Sequence, residues 1–185
     1  MFKNNEDRYG IITKILHASI GFLMIYLLYL GFTMTGLEKS PEKWATYGLH
    51  KSLGFVVLVL ASLFYIWKFF NTSPKKVGYL NGFQKVLSKI VKFGLLVIML
   101  FYPLTGYVMS SAGGHDIKLF DTWDVPLLIE KGATIAGYEV SGIAHSLHGY
   151  LMYATIGLLA LHIAGALFHH FIMKDDTLKR MTTKF

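Results

Sequence analysis

Ser146–Lys174 reads SLHGYLMYATIGLLALHIAGALFHHFIMK, a long apolar run interrupted by histidines at 148, 162, 169 and 170. Its length and apolarity are those of a membrane helix. Ionisable groups inside a bilayer are expensive and face a bundle interior, where something binds them. On an α-helix 14 residues turn about 1400°, roughly 40° short of four turns, and rise about 21 Å. His148 and His162 therefore share nearly one face at two depths, and this helix is expected to form a common wall for two sites stacked across the membrane.

The rest of the chain agrees with that class. Of its 185 residues 54% are hydrophobic and only 16% charged, too apolar for an ordinary soluble domain. The formal charge of +7 sits between apolar runs. It reads as a topology signal, not as a nucleic-acid surface. There is no cysteine, which excludes disulfides, iron–sulfur clusters and thiolate ligation of haem and leaves histidine and methionine as ligands. The polar N-terminus has no cleavable signal pattern, so the first apolar run is expected to stay as a span.

Four spans are predicted, at about 14–36, 49–70, 89–109 and 145–173, forming an all-α integral membrane four-helix bundle. His17 lies near the start of the first, with Gly21 four residues on and so on the same face. His50 opens the second, with Gly54 again four residues on. Each glycine either leaves room for a flat macrocycle beside the histidine or permits close helix packing. Residues 37–48 read as a loop, with Pro41 stopping the first span. The third span has no histidine and reads mainly as a wall, with Pro103 and Gly106 as a possible kink. Residues 110–142 form a long loop. Its Leu119, Phe120, Trp123, Val125, Leu127, Leu128 and Ile129 are expected to fold onto the bundle end as a lid.

Lysine and arginine set the orientation. Lys3, Arg8 and Lys14 precede the first span. Lys68, Lys75, Lys76, Lys85, Lys89 and Lys92 surround the second connection. Lys174, Lys179, Arg180 and Lys184 follow the fourth span. The positive-inside rule then places both termini in the cytoplasm and the long third loop outside. Depth now pairs the histidines, His50 with His148 near the outer surface and His17 with His162 toward the cytoplasm. Two bis-histidine sites suit two haems, and bis-imidazole ligation leaves no open iron position, which favours electron transfer over oxygen chemistry.

The remaining histidines are less determined. His145 lies about 100° around the helix from His162 and does not share the ligand face. His115 reads as a surface loop residue and His170 as interfacial. His169 is either a third bundle-facing group, binding a haem propionate or quinone, or an interfacial histidine without a ligand. Lys14 and Lys51 either pair with propionates or snorkel.

The segments ITKILHASIG (12–21), LHKSLG (49–54), PLTGYVMSSAGG (103–114), KLFDTWDVP (118–126) and HSLHGYLMYATIGLLALHIAGALFHHFIMKDDTLKRM (145–181) resemble the bacterial cytochrome b561 family of dihaem four-helix membrane cytochromes. The resemblance covers nearly the whole chain. It implies two b haems with axial ligands at His17, His50, His148 and His162, in the same pairs, and an inner-membrane protein that exchanges electrons with ubiquinone or menaquinone. Family members can carry histidines early in the third span, where this chain has Lys89 and Lys92. At least one member is regarded as a superoxide:quinone oxidoreductase, which makes superoxide or a periplasmic redox protein the implied outer donor. Lys43, Lys51, Lys118 and Lys131 are the candidates for a local basic funnel that would attract an anion. The alternative is a membrane electron-transfer subunit serving a separate dehydrogenase.

Overall fold

Every apolar run is a helix, and most of the helices begin well before their runs. The computed structural model describes residues 1–75 and 77–182. Lys76 and Lys184, used in the charge argument, lie outside them. The chain runs α1 (Ile11–Gly36), α2 (Pro41–Phe69), α3 (Gly82–Ala112), α4 (Val140–Phe171) and a short α5 (Lys179–Thr182). The first four have 26, 29, 31 and 32 residues and are each long and apolar enough to cross a membrane, which takes about 20 residues.

The early starts have local causes. Pro41 begins α2 and does not merely end α1, so the expected loop at 37–48 is only 37–40. Ser40 caps α2 by accepting the Lys43 N–H at 3.3 Å, and proline is well suited to the first helical position because its missing N–H has no partner there. A capping box of Asn81 and Gln84 starts α3 seven residues before the apolar run. The helix runs on through Pro103.

Helix α2 packs between α1 and α3, and α3 packs most extensively on α4. At one place the α3–α4 approach depends on a glycine: a Cβ on Gly94 would lie 2.8 Å from Leu158 Cδ1, the close contact that small residues permit in membranes. Ile20, Met24, Leu27, Val57, Ile98 and Tyr102 form the core, with Leu151, Met152 and Leu158 of α4 against it. Val57 and Thr155 are fully buried. Large apolar side chains such as Phe22, Tyr29, Phe32, Phe93 and Tyr153 point outward, as lipid-facing residues must.

The N-terminal tail and the last described residues, up to Thr182, lie at one end of the bundle. Asn4 donates to the Thr72 carbonyl at 2.8 Å, Lys75 pairs with Glu6, and Arg180 donates to the Lys75 carbonyl at 2.7 Å. Trp67 Nε1 donates to Thr13 Oγ1 at 2.9 Å, and Thr13 in turn donates to Asn4. The N-terminal tail, the second connection and the C-terminal tail are thus tied together.

The long third connection lies against the other end, with Leu119, Val125 and Ile129 of the expected apolar residues half-buried. It contains two small antiparallel hairpins, β1 (Ile117–Leu119) with β2 (Trp123–Val125) and β3 (Thr134–Ile135) with β4 (Tyr138–Glu139). Ile117 is 3% exposed, whereas Phe120, Trp123, Leu127 and Leu128 are about half exposed or more. Backbone, more than those side chains, pins the loop: Ser52 Oγ donates to the Lys118 carbonyl at 2.9 Å and accepts the Phe120 N–H at 3.1 Å. Tyr107 donates to the Pro126 carbonyl, and Ser111 Oγ accepts the Leu128 N–H at 3.2 Å.

Candidate functional site

The bundle brings four histidines together in two pairs. His17 of α1 faces His162 of α4 with ring centroids 6.0 Å apart. His50 of α2 faces His148 of α4 with centroids 6.4 Å apart. Two imidazoles bound to one metal ion from opposite sides, with metal–nitrogen bonds of about 2.0–2.1 Å, hold their centroids roughly 6 Å apart. Both pairs therefore fit a single metal between two rings. Among the described residues no group of three or more His, Cys, Asp or Glu converges as a metal cage.

The surroundings suit a planar group. No heavy atom lies within 4 Å of a Cβ built at Gly21 or Gly54. A Cβ at either would stand in open space, so neither glycine serves a tight helix contact. Two other glycines touch the rings. A Cβ on Gly31 would lie 3.5 Å from His50 Cε1, and one on Gly106 would lie 3.1 Å from His148 Cε1. Gly106 is thus part of the seat of His148. The third helix, read from sequence as a wall, also supplies Thr105, whose Oγ1 is 2.9 Å from His148 Nδ1. Tyr102 lies against the same ring at 4.4 Å between centroids. His50 Nδ1, in contrast, is buried with no hydrogen-bond partner among the described residues.

The other histidines separate cleanly. His145 turns away to α3, with Nδ1 3.2 Å from Met109 Sδ. His170 Nδ1 is buried without a partner among the described residues, its ring against Phe171. His169 is held at the end that carries both tails, with Nδ1 2.6 Å from Asp175 Oδ2. Both side chains are largely buried, at 15% and 10% exposed. Burial pushes the Asp175 carboxyl up, but hydrogen bonds from Thr177 and His169 outweigh it and hold the group below the ordinary carboxylate value. An ionised Asp175 accepts the Nδ1 proton of His169. The tail motif KDDT therefore has a job at α4's end that its polar composition did not reveal.

At the opposite end a cavity of about 820 Å³ opens beneath the long connection. Lys51, Lys118 and Lys131 line it as expected of a basic funnel. Lys43 does not; its Nζ donates to the Leu37 carbonyl at 2.6 Å. Asp116, Asp121 and Glu139 line the same cavity, and Lys51 Nζ is bonded to the Asp116 carbonyl at 3.3 Å. The described lining is thus balanced in charge. His115 and His145 both reach it, beside Trp44 and Tyr47.

Residues 8–184 match the family described as prokaryotic cytochrome b561. The chain is also 28% identical over 190 residues to cytochrome b561 homolog 2 of Escherichia coli K12, with 99% of this chain and 95% of that protein aligned.

Proposed function

The chain belongs to the prokaryotic cytochrome b561 family, and on that premise we propose that it carries electrons across the membrane through two b haems, one at each histidine pair, and delivers them to quinone. Membership makes it a haem b electron-transfer protein that crosses the bacterial inner membrane several times. The finer reading rests on one observation: two histidine pairs, at ring separations of 6.0 and 6.4 Å, that share α4 at positions 14 residues apart.

Haem b, when bound, supplies a one-electron carrier at each pair. The protein's own part is to hold, insulate and connect. His17 and His162 hold the group at the end that carries both tails, and His50 and His148 the group at the other. A haem held by two imidazoles would leave no open iron position for oxygen, which suits electron transfer. Met24, Leu27, Val57, Ile98 and Leu151 belong to one packed apolar cluster, the kind of surrounding that excludes water.

The orientation follows from the basic residues. Lys3, Arg8, Lys75, Lys85 and Arg180 gather around the end with the tails, which is therefore the cytoplasmic one. The 820 Å³ cavity is then on the outer side and is the natural approach for a donor to the His50–His148 pair. Its balanced lining favours a donor admitted by fit over one gathered by net positive charge. Reduction of a quinone requires protons besides electrons, and on the cytoplasmic side the hydrogen-bonded His169–Asp175 pair is placed to pass them from the aqueous surface to the reduced quinone.

The deciding experiment is a reduced-minus-oxidised spectrum of the purified protein, with haem quantified as pyridine haemochrome. Superoxide is then added with and without a water-soluble quinone. Two b haems per chain, reduced by superoxide and reoxidised by quinone, support the whole reading. Two haems indifferent to superoxide leave the membrane conduit and move its donor to a separate redox protein or dehydrogenase. One haem per chain overturns the two-site reading.

A narrower expectation concerns Gly54. Gly54→Leu fills the clear face beside His50. Overpacking of this kind costs about 1–3 kcal/mol, roughly a 5- to 140-fold loss of affinity. The outer haem should be lost selectively on dilution or gel filtration, while the inner one stays. Full retention of both would show that the face is not used.

A further inference from the structure

The two rings of the outer pair are held differently. His148 Nδ1 is 2.9 Å from Thr105 Oγ1. The same Oγ1 is 2.7 Å from the Tyr102 carbonyl. A threonine hydroxyl has one proton. The carbonyl only accepts, so that proton goes to Tyr102, and Oγ1 can then only accept at His148. The proton between Thr105 and His148 therefore sits on Nδ1. The hydroxyl links ring to backbone beside a direct bond of the ring to the Tyr102 backbone, and both leave Nε2 as the lone-pair nitrogen. Thr105 is 8% exposed and Tyr102 9%, so water does not compete for either bond. Across the site, His50 Nδ1 is buried and has no partner among the described residues.

We propose that Thr105 is a positioning residue for His148, fixing its Nδ1–H tautomer and raising the basicity of its Nε2, so that the outer haem has one strengthened and one unassisted axial imidazole. This rests on the reading of His50 and His148 as haem ligands. Two neighbouring residues of α3 then act on one ring: Gly106 leaves it room, and Thr105 sets its proton. A hydrogen bond at the distal nitrogen makes an imidazole a stronger donor, and loss of such a partner typically costs about 10- to 100-fold in metal affinity. The stronger donor favours the ferric over the ferrous state, since the more highly charged ion gains more from it. Removal of the hydroxyl should therefore make the outer haem easier to reduce.

The test is Thr105→Val, which keeps the shape and removes the oxygen, with Thr105→Ser, which keeps the oxygen. Each holoprotein is titrated potentiometrically, haem is counted, and the low-spin ferric signals are recorded by electron paramagnetic resonance. In Thr105→Val one haem should move up by on the order of tenfold in its reduced-to-oxidised ratio at a fixed potential, about 59 mV for one electron. Its resonance should shift while the second haem keeps both values. Thr105→Ser should match the parent. If Thr105→Val does not accumulate, Thr105→Ala carries the same loss without the added methyl and is read in the same way. Two haems with parental potentials and signals in the oxygen-free variants overturn the role of Thr105 and leave the haem assignment standing. A shift in Thr105→Ser as large as in Thr105→Val also overturns it, because packing and not the hydroxyl would then be responsible. Failure of the haem reading itself looks different: the parent protein would not hold two low-spin haems.

Discussion

His162→Ala is expected to halve the haem content and to trap the remaining haem in its reduced state. The substitution removes the α4 side of the pair in which His17 and His162 face each other at 6.0 Å. Loss of an axial ligand exceeds the roughly 100-fold upper end seen when only a partner behind a ligand is lost, so the inner haem should not survive purification. The outer pair lies about 21 Å away along the same helix and shares no side chain with it. An outer donor should still reduce the remaining haem, and added quinone should then fail to reoxidise it. Haem per chain and the rate of quinone-dependent reoxidation check both halves. A variant that keeps two haems, or one haem that quinone still reoxidises at the parental rate, sinks the assignment of His162.

His148→Ala should give the complementary failure. It removes the ring seated on Gly106 and Tyr102, and again about half of the haem should be lost. What remains is the inner haem, now without its supply. The outer donor should no longer reduce it at a useful rate. Dithionite should, and quinone should then reoxidise it as in the parent protein. The two variants together establish direction: one blocks exit and the other blocks entry. If both behave alike, with either haem reached equally well by donor and quinone, then the sites are not in series.

The pairs were legible in the sequence because two simple periodicities overdetermine them. Helical rise and turn put His148 and His162 on one face at two depths, and alternation of span direction gives His17 and His50 opposite depths. Neither argument needs a side-chain contact. Gly21 and Gly54 were half legible: spacing put them beside the histidines, and only the packed bundle could show that no neighbouring helix uses the space. Thr105 was not legible at all. A threonine in an apolar helix is ordinarily read as bonded to its own backbone, which Thr105 is, through Tyr102. Nothing local says that the second valence of its oxygen goes to a residue 43 positions away.

The misread segments have equally specific causes. Pro41 reads alone as a helix breaker, but after Ser40 it is a helix starter. The lid was sought among the largest apolar side chains of the third connection, whereas backbone bonds to Ser52 and Ser111 do much of the holding. A buried serine gives no signal in an apolar span. The β3–β4 hairpin turns on Ala136 and Gly137, both at positive φ. The glycine there was visible in the sequence, but strands of two residues are too short to show an alternation.

Helix α4 gives one histidine to each pair, and it is the last of the four spans to be synthesised. A nascent chain that has inserted α1, α2 and α3 holds His17 and His50 without the rings that face them in the finished bundle. On the proposed reading, neither could grip a haem from both sides until the final span arrives, and both sites would then become complete together. Cofactor loading would thereby wait for the end of translation, and a truncated chain could not become a half-wired conductor.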